Sequence, residues 1–341
     1  MEHSARMKPA IICFGEVLLR LSSPGKELLL QSPRFDAHIG GAEANVAVSL
    51  HKFGHRTRVV SSLPDSTLGR ACADELRRHG VETDSIHFGD GRMGMYFLTH
   101  GAGHRPAEVL YDRANSSFAI APPETYDWSS LLEKARWLHV SGITPAVSSA
   151  TAEAASQAMQ AARKAGVQIS FDCNFRARLW GSRAPEAPQL LTRLCEQADI
   201  IFGDDRDIAF MLGFKASAPD ARREAADVAF KTFKHLRYIV CTERARHSVD
   251  VQQLTGLLFD SKNTYTSRSY PLHSIVDRIG GGDAFAAGVL HGLLTGMTPQ
   301  AAIDFGAAAG CLKHSIPGDF NLLGVSDVEL LLSEKGGDVR R

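Results

Sequence analysis

A chain of 341 residues with 44% hydrophobic content is long enough to bury a large core, in one big domain or two modest ones. Its 38 Lys and Arg balance 38 Asp and Glu, which excludes a basic field that holds nucleic acid or anionic lipid by bulk electrostatics and favours small-molecule chemistry. Six cysteines without a C-x-x-C pair point to neither a zinc site nor a disulfide framework and suit a reducing compartment.

The opening MEHSARMKPA has no apolar signal-peptide core, and no stretch of about 18 residues escapes charged, Pro and Gly interruptions, so the cytoplasm is the expected location and no membrane partner is expected. Residues 10–23, AIICFGEVLLRLSS, read as one apolar strand closed by Pro24-Gly25. Residues 41–54, GAEANVAVSLHKFG, carry Ala, Val and Leu at helical spacing and end on the glycine expected after a helix. Strand TRVVSSL, helix LGRACADELRRHG and strand-like VETDSIHF follow, a rhythm that predicts a parallel sheet.

Between 92 and 118 the rhythm breaks. MGMYFLTH and EVLYDR, joined by the turn-rich GAGHRPA, read as a hairpin standing apart from the main sheet. Alternation resumes with WLHVSGI, a helix over 150–165, strand VQISFDCNF, a helix near 188–197, strand ADIIFGD and a helix over 206–213. The helix ARREAADVAFKTF, strand RYIVCTE and strand-like VDVQQLTGLLF come next, and two apolar helices at 283–295 and 299–314 close the core. No repeat, low-complexity tract or linker divides the chain.

Common fingerprints are absent: no G-x-x-x-x-G-K-[ST], no H-E-x-x-H and no G-x-S-x-G. One G-x-G-x-x-G, Gly89 to Gly94, precedes a strand and opens no helix, so it lacks the helix N-terminus that would hold a pyrophosphate. Two stretches carry chemistry. In DRIGGGDAFAAG, Gly280, Gly281 and Gly282 let successive N–H groups converge at a helix mouth, an anion cradle. Asp283 at its edge would be ionised by those N–H groups and take a proton from a hydroxyl attacking a phosphate; the plain alternative is a flexible turn with Asp as N-cap. In GGAEANVA, Gly40 and Gly41 permit close approach of a ligand, and Asn45 offers donors and acceptors to sugar hydroxyls; the plain alternative is a tight turn with Asn on a solvated face.

Together, in this order and spacing, GGAEANVA and DRIGGGD resemble the two signatures of the ribokinase-like (PfkB) carbohydrate kinases, and the likeness spans nearly the whole chain. It implies an α/β fold: three layers, with a central mostly parallel sheet flanked by helices. It also implies one domain over 1–341, with a small β lid from about 17–39 and 92–118. Within the family the chain is most similar to the 2-keto-3-deoxygluconate kinases, through FGEVLLRLS, MYFLTHGAGHRPAEVLYDRANSSFA, FDCNFRARLW and IIFGDDRDIAFMLG.

That likeness implies ATP-dependent phosphorylation of 2-keto-3-deoxy-D-gluconate at its terminal C6 hydroxyl, with Asp283 as base, Gly280 to Gly282 as anion hole and Mg2+ bridging the ATP phosphates. Tyr96, Tyr111, Arg113 and Arg176 would meet the acidic sugar, for whose carboxylate an Arg fork is suited. Asp204 and Asp207 would reach the metal through water, and Asp204, Thr242 and Arg244 would line the nucleotide site. The usual N-x-x-E of the family reads Asp204-Asp205-Arg206-Asp207 here, and the usual Thr-x-Gly reads Thr242-Glu243-Arg244. Gly281 in place of the more frequent Ala is expected to be neutral, because neither carries a side chain that could block an anion. An exposed lid hairpin offers an edge for pairing into a homo-oligomer. A kinase of a neutral sugar such as fructose or ribose, and a sugar-binding protein without catalysis, are the competing readings.

Overall fold

The computed structural model describes residues 9–215, 220–246 and 251–333. In chain order its strands are β1 (Ala10–Phe14), β2 (Leu18–Ser22), β3 (Asp36–Gly40), β4 (Thr57–Pro64), β5 (Ile86–Gly89), β6 (Met95–Thr99) and β7 (Glu108–Asp112). They continue with β8 (Ala135–Ser141), β9 (Gln168–Asp172), β10 (Ile200–Phe202), β11 (Tyr238–Arg246), β12 (Val251–Phe259), β13 (Thr264–Thr266) and β14 (Tyr270–His273). The main sheet has the order β13-β12-β11-β10-β9-β8-β1-β4-β5, with β14 also on β12. From β11 to β5 all neighbours are parallel; β12 runs against β11, β13 and β14.

Every residue of β1 is buried, as expected of a central parallel strand covered on both faces. Ile12 and Phe14 face a cluster built with the helices Ser149–Lys164, Ala187–Cys195, Asp205–Leu212 and Ala221–Thr232. Ile11 and Cys13 face the other cluster, built with Ala42–Lys52, Thr67–Arg78, Gly281–Leu294 and Pro299–Lys313. Period-two alternation thus gives the expected three layers. The 281–294 and 299–313 helices pack closely: a Cβ on Gly288 would sit 2.8 Å from the Cα of Gly306, so the glycines inside these helices, costly in isolation, allow contact of backbones.

Two sequence expectations are corrected here. The single strand over 10–23 is two, because the chain leaves the main sheet at Gly15, where a Cβ would lie 2.0 Å from a Glu43 carboxylate oxygen, and restarts as β2 in a second sheet. The hairpin β6–β7 stands apart from the main sheet as expected; there β6 pairs in parallel with β2, which pairs antiparallel with β3, giving a separate four-stranded sheet β3-β2-β6-β7. The strand-like 81–88 shortens to β5, with Glu82 only in an isolated bridge to Arg58. The helix at 42–52 forms as expected and is followed by Gly54 at φ 85°. The cysteines are all free. Among the described residues no helix is long and apolar enough to cross a membrane.

Candidate active site

The chain passes from β1 to β4 and β5 on one side of the sheet and returns to β8 on the other, so a crevice opens beyond the carboxyl ends of the strands, where α/β sheets bind ligands. Two cavities lie there. One, about 1030 Å³, is lined by the end of β10, the middle of β11 and the helix start at 203–207. The other, about 380 Å³, lies between the small sheet and the mouth of the 281–294 helix. Asp172, Asn174, Arg176, Arg244 and Gly282 line both, so the two spaces join.

The three glycines serve three different ends. Gly280 is the N-cap at φ 80°, a left-handed conformation, and a Cβ there would meet the Asp319 carbonyl oxygen at 1.9 Å. A Cβ on Gly281 would lie 2.6 Å from His314 Cε1, whereas one on Gly282 would meet no protein atom within 4 Å and would project into the cavity. The expectation that Ala would be neutral at 281 is therefore corrected: His314 fills the space a methyl would need. No side chain caps this helix, so its first-turn N–H groups keep their capacity for an anion.

Asp283 is the third helical residue, so the plain reading of Asp as N-cap fails, and so does the expectation that N–H groups ionise it. Its Oδ2 accepts from Asn45 Nδ2 at 2.6 Å. Burial pushes its carboxyl up to about 7, against the lowering effect of that hydrogen bond. Asn45, only 3% exposed, is not on a solvated face, and its Oδ1 is buried without a partner. Gly41 before it has φ 135°, and a Cβ there would meet the Glu16 carbonyl oxygen at 2.2 Å; one on Gly40 would meet Asp319 Oδ2 at 2.0 Å. Both glycines thus allow chain segments to converge on the smaller cavity.

Tyr96, Tyr111 and Arg113 rise from β6, β7 and the residue after β7 to line the smaller cavity, with Arg176 at the junction. The Tyr96 hydroxyl donates to Asp319 Oδ2 at 2.5 Å. Arg113 is buried rather than a surface charge, and it is paired: its Nε donates to Glu16 Oε2 at 2.7 Å and an Nη joins the same oxygen. Glu16 also accepts from Ser116 Oγ. Arg176 is exposed to the cavity.

Thr242 and Arg244 line the larger cavity, as expected of nucleotide contacts. Asp204 and Asp207 line it too but form a reciprocal capping box: Asp204 Oδ1 accepts from the N–H groups of Arg206 and Asp207 at 2.9 and 3.3 Å, and Asp207 Oδ2 accepts from the Asp204 N–H at 2.9 Å. Burial raises Asp204, but hydrogen bonds from the Arg206 side chain and these N–H groups outweigh it and hold its carboxyl below the usual range. Asp204 is therefore ionised and held by the backbone and the Arg206 side chain. Asp207 keeps its second oxygen, and burial raises its carboxyl.

Sequence patterns did not single out Asp172, Glu16 or Asp319. Asp172 ends β9, and burial, then the neighbouring Asp283, push it up to about 8. An acid closing an apolar strand was its signal, because strand ends face the crevice. Among the described residues no group of three or more His, Cys, Asp or Glu could hold a metal ion by itself. Asp172 and Asp207 nonetheless face one cavity, where, once deprotonated, they would hold the waters of a magnesium ion shared with phosphates.

The pattern defining the pfkB family carbohydrate kinases matches residues 8–321. A Haloferax volcanii protein named 2-dehydro-3-deoxygalactonokinase is 33% identical, covering 97% of this chain and 98% of its own. A Bacillus subtilis 2-dehydro-3-deoxygluconokinase is 28% identical, with 92% of each covered. The solved structure of a 2-dehydro-3-deoxygluconokinase from Thermotoga maritima superposes with a TM-score of 0.91 at 38% identity, covering 95% of this chain and 99% of that one.

Proposed function

The chain belongs to the pfkB family of carbohydrate kinases, and from that premise we propose that it transfers the γ-phosphoryl group of ATP to the terminal C6 hydroxyl of 2-keto-3-deoxy-D-gluconate. One observation carries the reading. Asp283 lines the smaller cavity directly beside Gly282, which opens on both spaces, and burial pushes its carboxyl up to about 7, suited to a general base at neutral pH.

In the proposed reaction the sugar lies in the 380 Å³ cavity and the nucleotide in the 1030 Å³ one. The C6 oxygen forms a bond to the γ-phosphorus as the bond to the ADP oxygen breaks, and Asp283 takes the C6 proton. Asn45 holds the receiving carboxylate in place through its hydrogen bond. The N–H groups at the start of the 281–294 helix hold charge on the transferring phosphoryl group. Magnesium, when bound with ATP, neutralises phosphate charge; Asp207 and Asp172 are the residues here that would hold its hydration shell. Arg176 supplies the positive charge that an acidic sugar requires, beside Arg113, whose charge is met by Glu16. The four-stranded sheet, as a lid, keeps water from the reacting atoms.

ADP release with magnesium-ATP should be highest on 2-keto-3-deoxygluconate, compared with its galactonate epimer, fructose and ribose. Turnover on fructose or ribose alone would remove the acidic-sugar assignment and leave the kinase.

A further inference from the structure

Arg20 belongs to no part of the reaction described above, yet it is among the most buried large side chains of the protein, at 1% exposure. It points from β2 into the seam between the small sheet and the loop that leads to the phosphate cradle. Its Nε donates to Ser22 Oγ at 2.6 Å, one Nη to Asp319 Oδ1 at 2.9 Å and the other to Asp277 Oδ2 at 2.6 Å. Each carboxylate then continues to a different half of the site. Asp319 accepts from Tyr96 on the wall of the smaller cavity. Asp277 accepts from the Ile279 N–H at 3.0 Å, one residue before Gly280, and from the Gly318 N–H at 3.0 Å. The peptide of Asp319 in turn abuts Gly280, where no Cβ would fit.

From this chain of contacts we infer that Arg20 is a positioning residue that fixes the phosphate cradle relative to the sugar-facing wall. A guanidinium has the planar fork needed to hold two carboxylates and a hydroxyl at once, which a lysine ammonium on a flexible stem cannot reproduce. With the fork gone, Asp277 and Asp319 lose the paired donors that set their separation, and the segment 277–283 loses its placement against β6. An error of about 1 Å between reacting groups costs on the order of a hundredfold in rate. The inference rests on the proposed kinase reading only for its kinetic consequence.

The test is Arg20→Lys, with two readouts. In the free protein, amide hydrogen exchange over 277–283 should quicken about tenfold or more, while the 299–313 helix stays within about twofold of wild type. On 2-keto-3-deoxygluconate, kcat should fall about tenfold or more, with KM for sugar and ATP within about threefold. Unchanged exchange at 277–283, an equal rise in all helices, or a rise in KM without loss of kcat would each overturn the inference. The exchange readout needs no turnover, so it judges Arg20 even if the assigned sugar is wrong. Should the lysine variant not fold, Ser22→Ala, which removes only the bond to Nε, should quicken exchange over 277–283 about twofold to threefold; no change there would overturn the inference equally.

Discussion

Two helix mouths face the larger cavity, and both carry an aspartate at the third helical position. At 204–207 the acids turn inward on the backbone: Asp204 and Asp207 satisfy the first N–H groups themselves, and Asp204 titrates below its usual value. At 280–283 a glycine stands at the cap, no side chain reaches the N–H groups, and Asp283 titrates near 7. The acids at the third helical position, Asp207 and Asp283, are both raised by burial; what differs is the cap, an aspartate that occupies the first N–H groups in one helix and a glycine that leaves them open in the other. A helix start that caps itself has used up its affinity for anions, whereas one left open by glycine keeps that affinity for a ligand and leaves its acid free to act as a base.

The comparison is broken most directly by removing each acid. Asp283→Asn should lower kcat by roughly a thousandfold, within the 10²–10⁴ range of general-base catalysis, while Asp204→Asn should stay within about tenfold of wild type in the same ADP-release assay. Next in size is the cradle: Gly282→Ala puts a methyl into open cavity and should cut kcat by roughly ten- to a hundredfold with Tm unchanged, whereas Gly280→Ala should lower Tm by calorimetry, because it meets both a left-handed backbone and the Asp319 peptide.

The arginines sharpen the sugar half. Arg113→Ala leaves Glu16 buried without its cation and should cost about 3–5 kcal/mol of stability in denaturant titration. Arg176→Ala, exposed to the cavity, should raise KM for the acidic sugar without a change in stability. A further effect is electrostatic. Asp283 keeps its proton in the folded state up to about 7 but loses it near 3.9 when unfolded, so its contribution favours the folded state in acid and is lost as pH rises through about 7. Asp283→Asn should therefore raise Tm more at pH 8 than at pH 5.

The layers of the fold were legible because apolar runs and helical spacing recur along the chain, and because parallel strands covered on both faces read as continuous apolar segments. The break at Gly15 was not legible, because the side chain packed against it, Glu43, comes some thirty residues later in the chain. Pairing of β2 with β6 was equally hidden, since strand periodicity carries no information on partners. In the site, Asp283, Gly282 and Asn45 come together as their motifs indicated. What stayed out of reach is what their partners do: Glu16 on Arg113, His314 against Gly281 and Arg20 between two aspartates are contacts made in space by residues that look ordinary in sequence.

Titration of Asp283 decides whether it is the base. Measured with saturating magnesium-ATP, kcat/KM for 2-keto-3-deoxygluconate should rise about tenfold per pH unit in acid and level off near pH 7, following a carboxyl raised to about 7, and Asp283→Asn should abolish that limb. A profile flat from pH 5 to 9, or a limb that survives in Asp283→Asn, would contradict the assignment of Asp283 as the base.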